Sequence, residues 1–175
     1  RREPVKDVYR IEIIPLALER EPRYRLENLA ALGVEGVTRV ERRDVYFMAG
    51  TLSESDVRAL AEGLLADPIL HRAHWGPVSA AVKTPAGARR VEVGYLPGVT
   101  DRAGANLLLR ARILGVGGLE AAASAQAFLF YGDLSEEEAH QVARGLLAND
   151  IIQYYALGPL VPHVGERPKK PTLRA

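Results

Sequence analysis

The sequence contains no cysteine, which excludes disulfides, thiolate metal ligands and a cysteine nucleophile. No apolar run approaches the roughly 20 residues that a helix needs to cross a bilayer. No signal peptide is recognisable at the start, so the expected location is cytoplasmic, with no membrane attachment. A charge excess of either sign is also missing. The 23 Lys and Arg nearly balance 22 Asp and Glu, leaving +1, and nothing in that balance points to nucleic acid.

What the chain does have is a repeat. Ala143–Gly158 (ARGLLANDIIQYYALG) restates Ala61–Gly76 (AEGLLADPILHRAHWG), 82 positions later. Leu32-Gly33-Val34 recurs as Leu114-Gly115-Val116, Leu52-Ser53-Glu54 as Leu134-Ser135-Glu136, Gly50 as Gly132, and Pro15 as Pro97. Residues 9–76 and 91–158 therefore align without a gap, and the periodicity reads as a duplicated domain. Each copy spans 68 residues, a size at which a lone core is marginal. The organisation expected is a first repeat over 1–76, a linker over 77–89, a second repeat over 90–158 and a proline-rich tail over 159–175.

Within the first copy, Tyr9, Ile11 and Ile13 alternate with Arg10 and Glu12 as in a half-buried strand. Residues 23–32 carry Leu26, Leu29 and Ala30 at helical spacing, and Gly33 sits at the C-cap position. Two extended runs follow, 35–41 and 44–50, and the charged cluster Glu41-Arg42-Arg43-Asp44 reads as the hairpin turn between them. Ser53 opens a second helix with Asp56 as a weak capping box, and 69–75 forms the last strand. The second copy repeats the order, with Ser135 and Glu138 as a full capping box. Each copy is thus expected to be βαββαβ, giving an α+β fold of two ferredoxin-like repeats with both helices on one sheet face.

The middle strands are apolar on both faces, as in a sandwiched sheet. Tyr46, Met48, Phe128 and Phe130 are expected on faces that the copy's own helices leave open. The two copies are therefore expected to pack, by sheet faces or sheet edges, as one intramolecular pseudo-dimer; further oligomerisation is left open.

The residues that could carry chemistry are sparse. His71, His74, His140 and His163 are scattered without the partners a metal site needs. Gly115–Gly118 follows a helix instead of preceding one, which does not suit a phosphate loop. Ser53 and Ser135 read as helix caps. The loop Leu96-Pro97-Gly98-Val99-Thr100-Asp101 precedes a helix and reads as a structural turn in preference to an anion site. No catalytic, cofactor-binding or metal-binding residue is expected.

The loop Leu96–Gly104 (LPGVTDRAG), the pair Leu114-Gly115 and the late run Leu146–Tyr154 (LLANDIIQY) together resemble the PurS family. PurS proteins are the small subunits of bacterial phosphoribosylformylglycinamidine synthase. Their marks are a strand followed by Leu-Lys-Pro-Gly-Val-Leu-Asp-Pro-Gln-Gly, a helix ending in Leu-Gly, and Leu-Leu-Ala-Asn-Pro-Val-Ile-Glu-x-Tyr. The first copy keeps Leu32-Gly33 and Leu64–Leu70 (LLADPIL) but has Pro15–Glu19 (PLALE) in place of the loop. A tandem of this kind resembles the N-terminal PurS-like domain of large single-chain synthetases.

The resemblance implies a non-catalytic component that joins the synthetase and glutaminase parts of the complex in de novo purine biosynthesis. ATP and Mg would belong to the partner synthetase, and no cofactor to this chain. Candidate partner-interface residues are Tyr46, Met48, Phe128 and Phe130 on the sheet, with Pro97, Gly98 and Asp101 in the loop. The alternative class is a tandem ferredoxin-like regulatory module that binds a small molecule. An RNA-binding sheet is disfavoured, because the middle strands lack the aromatic and basic motif used for base stacking.

Overall fold

The computed structural model describes residues 7–17 and 26–165. The expected polar start, the first turn of the helix over 23–32 and the end of the proline-rich tail lie outside these residues. Among the described residues there are six strands: β1 Asp7–Pro15, β2 Val37–Gly50, β3 His71–Pro77, β4 Ala88–Tyr95, β5 Leu119–Gly132 and β6 Gln153–Ala156. Four helices accompany them: α1 Leu26–Ala31, α2 Glu54–Leu60, α3 Arg102–Ile113 and α4 Glu136–Val142. The strands form one antiparallel sheet in the order β3-β1-β2-β5-β4-β6.

The local punctuation follows the sequence closely. Ser53 and Ser135 cap α2 and α4, and both capping boxes close, with Asp56 and Glu138 bonding back to the cap N–H. Both helices then relax into a wider turn, Ala61–Leu65 and Ala143–Leu147. At those turns the N–H of Ala66 reaches Ala61 O and that of Ala148 reaches Ala143 O, each at 2.9 Å. Gly33 and Gly115 end α1 and α3. The following amides, of Val34 and Val116, return to Leu29 O and Ala111 O at 3.0 and 2.9 Å, as a Schellman closure requires.

The charged cluster Glu41–Asp44 does not turn. Residues 37–50 form a single 14-residue strand, so the two short strands and hairpin expected there are one element. The reason is that β5 supplies ladder partners through the whole cluster, from Glu41↔Leu129 to Asp44↔Gln126. Backbone groups that would otherwise need water at a turn are satisfied by the sheet, and Arg43 is buried.

The two halves of the chain meet through strand edges, β2 against β5, and not through sheet faces. Through the centre of this ladder Val40 faces Phe130, Asp44 faces Gln126 and Met48 faces Ala122. Asp44 and Gln126 are 82 positions apart, so the ladder is centred on that pair. Its two ends close in the same way. The amide of Thr51 donates to Gly118 O at 3.0 Å, and that of Asp133 to Gly36 O at 2.9 Å. A Cβ on Gly118 would stand 2.0 Å from Thr51 O, and one on Gly36 2.3 Å from Asp133 O, so only glycine permits either approach.

All four helices lie over one face. Leu29, Val34 and Val37 pack with Ala139, Val142 and Leu147 over Val91, Val93, Phe128 and Phe130. Val57, Leu60 and Ala61 pack with Leu107 and Ala111 over Ile11, Ile13 and Met48. Each cluster thus takes one helix from each half of the sequence. Met48, Phe128 and Phe130, expected on uncovered faces, are fully buried beneath helices. Period-2 alternation shows which residues share a face, but it does not show which face the helices choose.

The opposite face carries Val45, Phe47, Ala125 and Ala127, and Leu160 covers them with help from Val78 and Val164. Residues 159–164, expected as part of a loose tail, therefore belong to the folded structure. Among the described residues no helix is long and apolar enough to cross a membrane.

Replacing Gly118 by Ala should cost about 1–3 kcal/mol, the range for overpacked sites. Replacing Gly63, where a Cβ meets nothing within 4 Å, should be neutral or stabilise by up to about 1 kcal/mol. Urea denaturation of both variants checks the contrast, and equal effects would contradict the ladder-end geometry.

Candidate functional site

The largest departure from the sequence reading lies on the helix-free face. Arg10, Glu12, Arg90 and Glu92 alternate with apolar residues and resemble the wet side of half-buried strands, and Arg43 belongs to the charged cluster read as a turn, yet all five are buried. β1 and β4 are separated by β2 and β5, three strand spacings or about 14 Å on a flat sheet. Their side chains nevertheless meet, passing over the small Ala125 and Ala127. Arg10 donates to both oxygens of Glu92, one at 2.7 Å. Arg90 donates to Glu12 and, at 2.9 Å, to Glu92. Arg43 reaches Glu12 at 3.3 Å and the half-buried Glu41 at 2.9 Å.

Loops complete the cluster. The amide of Leu160 donates to Glu92 at 3.1 Å, and Arg90 donates to Lys83 O at 3.1 Å and Thr84 Oγ1 at 3.2 Å. Among the described residues no buried side-chain nitrogen or oxygen lacks a partner. Burial pushes the Glu12 carboxyl up, but the Arg90 hydrogen bond and the charges of Arg90, Arg10 and Arg43 outweigh it and hold the group below its ordinary value. Burial likewise disfavours the Arg90 cation, and Glu12 and Glu92 more than restore it. Every charge here is matched and held, so the arrangement is structural, with no group left to act as acid or base.

The residues singled out from the sequence do not assemble into one place. Met48, Phe128 and Phe130 are core. Tyr46 is half-buried on the helix face, and burial, with Asp44 and Asp101 nearby, raises its phenol above the ordinary value. Pro97 and Gly98 form a tight turn, Gly98 with φ +84°. Asp101 caps α3, accepting from Gly104 N at 2.9 Å, and ties the helix to β5 through Ser124 N at 2.5 Å and Ser124 Oγ at 2.6 Å. Its carboxylate occupies the helix N-terminus where an anion would sit, so this loop is the structural turn it was read as.

The histidines are equally dispersed. His71 Nδ1 accepts from Asp67 N at 3.0 Å. His140 lies 2.8 Å from the Tyr155 hydroxyl, and His163 packs edge-on against Tyr154. Among the described residues no three His, Asp or Glu side chains are grouped to hold a metal.

The surface offers something that the composition did not reveal. Ile69 is 83% exposed and Ile151 80%, with Leu70 and Ile152 beside them also exposed. The two pairs are 82 positions apart, and each is pinned by the same kind of turn. Asp67 Oδ1 accepts from Ile69 N at 2.8 Å and Leu70 N at 3.0 Å, while Asn149 Oδ1 accepts from Ile151 N at 3.1 Å. Those backbone bonds hold the Asp67 carboxyl below its ordinary value. The 82-residue repeat itself carried this signal, because both copies place an apolar pair just after an Asx turn.

No model of a known protein family matches the chain, and no curated protein does.

The ionic cluster has a pH signature. Glu12 is depressed in the folded state, so its contribution is full above the ordinary glutamate value of about 4.3 and is lost as pH falls toward the lower folded value. Glu12→Gln should cost about 3–5 kcal/mol at neutral pH, as expected when one partner of a buried ionic group is removed. The gap from the parent should narrow below about pH 4. Urea titrations at several pH values measure it, and a pH-independent gap would contradict the assignment.

Proposed function

We propose that the chain is a PurS-like, non-catalytic bridging component of a phosphoribosylformylglycinamidine synthase, built as two similar three-stranded halves that form an intramolecular pseudo-dimer. The observation that carries this reading is the pair of apolar points, Ile69-Leu70 and Ile151-Ile152. A bridge needs two docking points, and these two pairs stand 82 positions apart with similar chemistry, each held by its own backbone bonds. Large apolar side chains exposed together on a well-packed protein mark association surfaces.

The tandem arrangement has further support. The sequence offset of 82 is also the spacing of the central Asp44–Gln126 pair and of the two ladder-end closures. The family's loop falls in the second half, at Leu96–Gly104, and its late motif is fuller there, at Leu146–Tyr154, than at Leu64–Leu70 in the first half. The first half has a different loop, so the two docking points are suited to different proteins: a synthetase on one side and a glutaminase on the other. ATP and Mg would be held by the synthetase.

The experiment is co-expression of the chain with the synthetase and glutaminase of its source, followed by affinity capture. The intact chain should retain both proteins, while pure chain should show neither glutamine hydrolysis nor ATP turnover. Ile69→Asp and Ile151→Asp should each lower retention of one partner at least tenfold with little change in Tm, since both positions are exposed. Retention of neither protein by the intact chain would overturn the proposal.

A further inference from the structure

A cavity of about 350 Å³ lies between β1, β3 and the connecting segment 77–85, a size at the lower end of small-molecule sites. Its charge is one-sided. β3 contributes Arg72 and His74, two residues apart and therefore on the same face of the strand, and the connecting segment contributes Lys83. Arg10 and Arg43 form the inner wall. Among the described residues Glu12 is the one carboxylate in the lining, and its oxygens already accept from Arg10, Arg43 and Arg90.

Among the described residues no acidic side chain pairs with Arg72, His74 or Lys83. The roof is fixed in place, because Arg90 holds Lys83 O and Thr84 Oγ1 from below. Ile14, Pro77, Val82 and Pro85 supply an apolar wall beside these polar side chains. The exposed Arg72 and Lys83, with no acidic partner among the described residues, draw an anion into this half-enclosed space.

We infer that this cavity binds a small phosphate monoester, with the phosphate between Arg72, His74 and Lys83 and the organic part against Pro77 and Val82. The inference is independent of the bridging reading, because neither apolar docking pair lines the cavity. Arg72 and Lys83 are exposed, so their replacement leaves the fold intact.

Isothermal titration of the full chain with phenyl phosphate, inorganic phosphate and phenol tests the assignment. Phenyl phosphate should bind more tightly than inorganic phosphate, and phenol should not bind. The double variant Arg72→Ala/Lys83→Ala should weaken phenyl phosphate binding at least tenfold while keeping the parent's Tm. Absence of phenyl phosphate binding, binding as strong for phenol, or binding unchanged in the double variant would each overturn it. Partner capture by the same variant should equal that of the parent, which separates failure here from failure of the bridging role.

Discussion

The register of β2 against β5 is the constraint on which the rest depends. Fourteen-residue strands pair along most of their length, and everything else is attached to this ribbon: β1 and β3 on one side, β4 and β6 on the other. A slip of one residue in β2 would send Met48 to the helix-free face and Val45 and Phe47 beneath the helices, out of step with Phe128 and Phe130 on β5. The hydrophobic pattern forbids that, and the close glycine contacts at both ends set the length of the ladder independently.

The buried ions add a second layer of definition. Taking five charges out of water costs several kcal/mol per ion, and mutual attraction offsets this only when geometry and extra hydrogen bonds are favourable. Here the loops provide those bonds, through Leu160 N, Lys83 O and Thr84 Oγ1. The cluster thus links strands from both halves to the segment that joins them and to the segment that follows β6. Such a network selects one arrangement of the loops over others of similar apolar content.

Much of the fold was legible because local signals agreed. The capping boxes at Ser53 and Ser135, the C-terminal glycines 33 and 115, and the alternation in β1 and β4 all describe short-range chemistry that a sequence displays directly. What it did not display was decided at long range. Glu41–Asp44 looks like a turn until a partner strand is alongside to satisfy its backbone. Arg10 and Glu12 look solvated until Glu92 and Arg90 arrive from the other half. The candidate site was less legible still. Arg72, His74 and Lys83 are ordinary surface residues in sequence, and only the path of the connecting segment over β1 and β3 gathers them around one space.

The near two-fold arrangement of the two halves has a chemical consequence at the centre of this sheet. In a symmetric pair of identical chains, a residue close to the two-fold axis meets its own copy, so a charged side chain there faces a like charge and is destabilised. Carrying both halves in one polypeptide lifts that restriction, since the two occupants of an axial position can be different residues. Asp44 meets Gln126 in the ladder. Arg10 is hydrogen-bonded to Glu92, the residue 82 positions on. A homodimer would place arginine against arginine there, or glutamate against glutamate. The single chain places a cation against an anion, a complementarity that only non-identical halves can have.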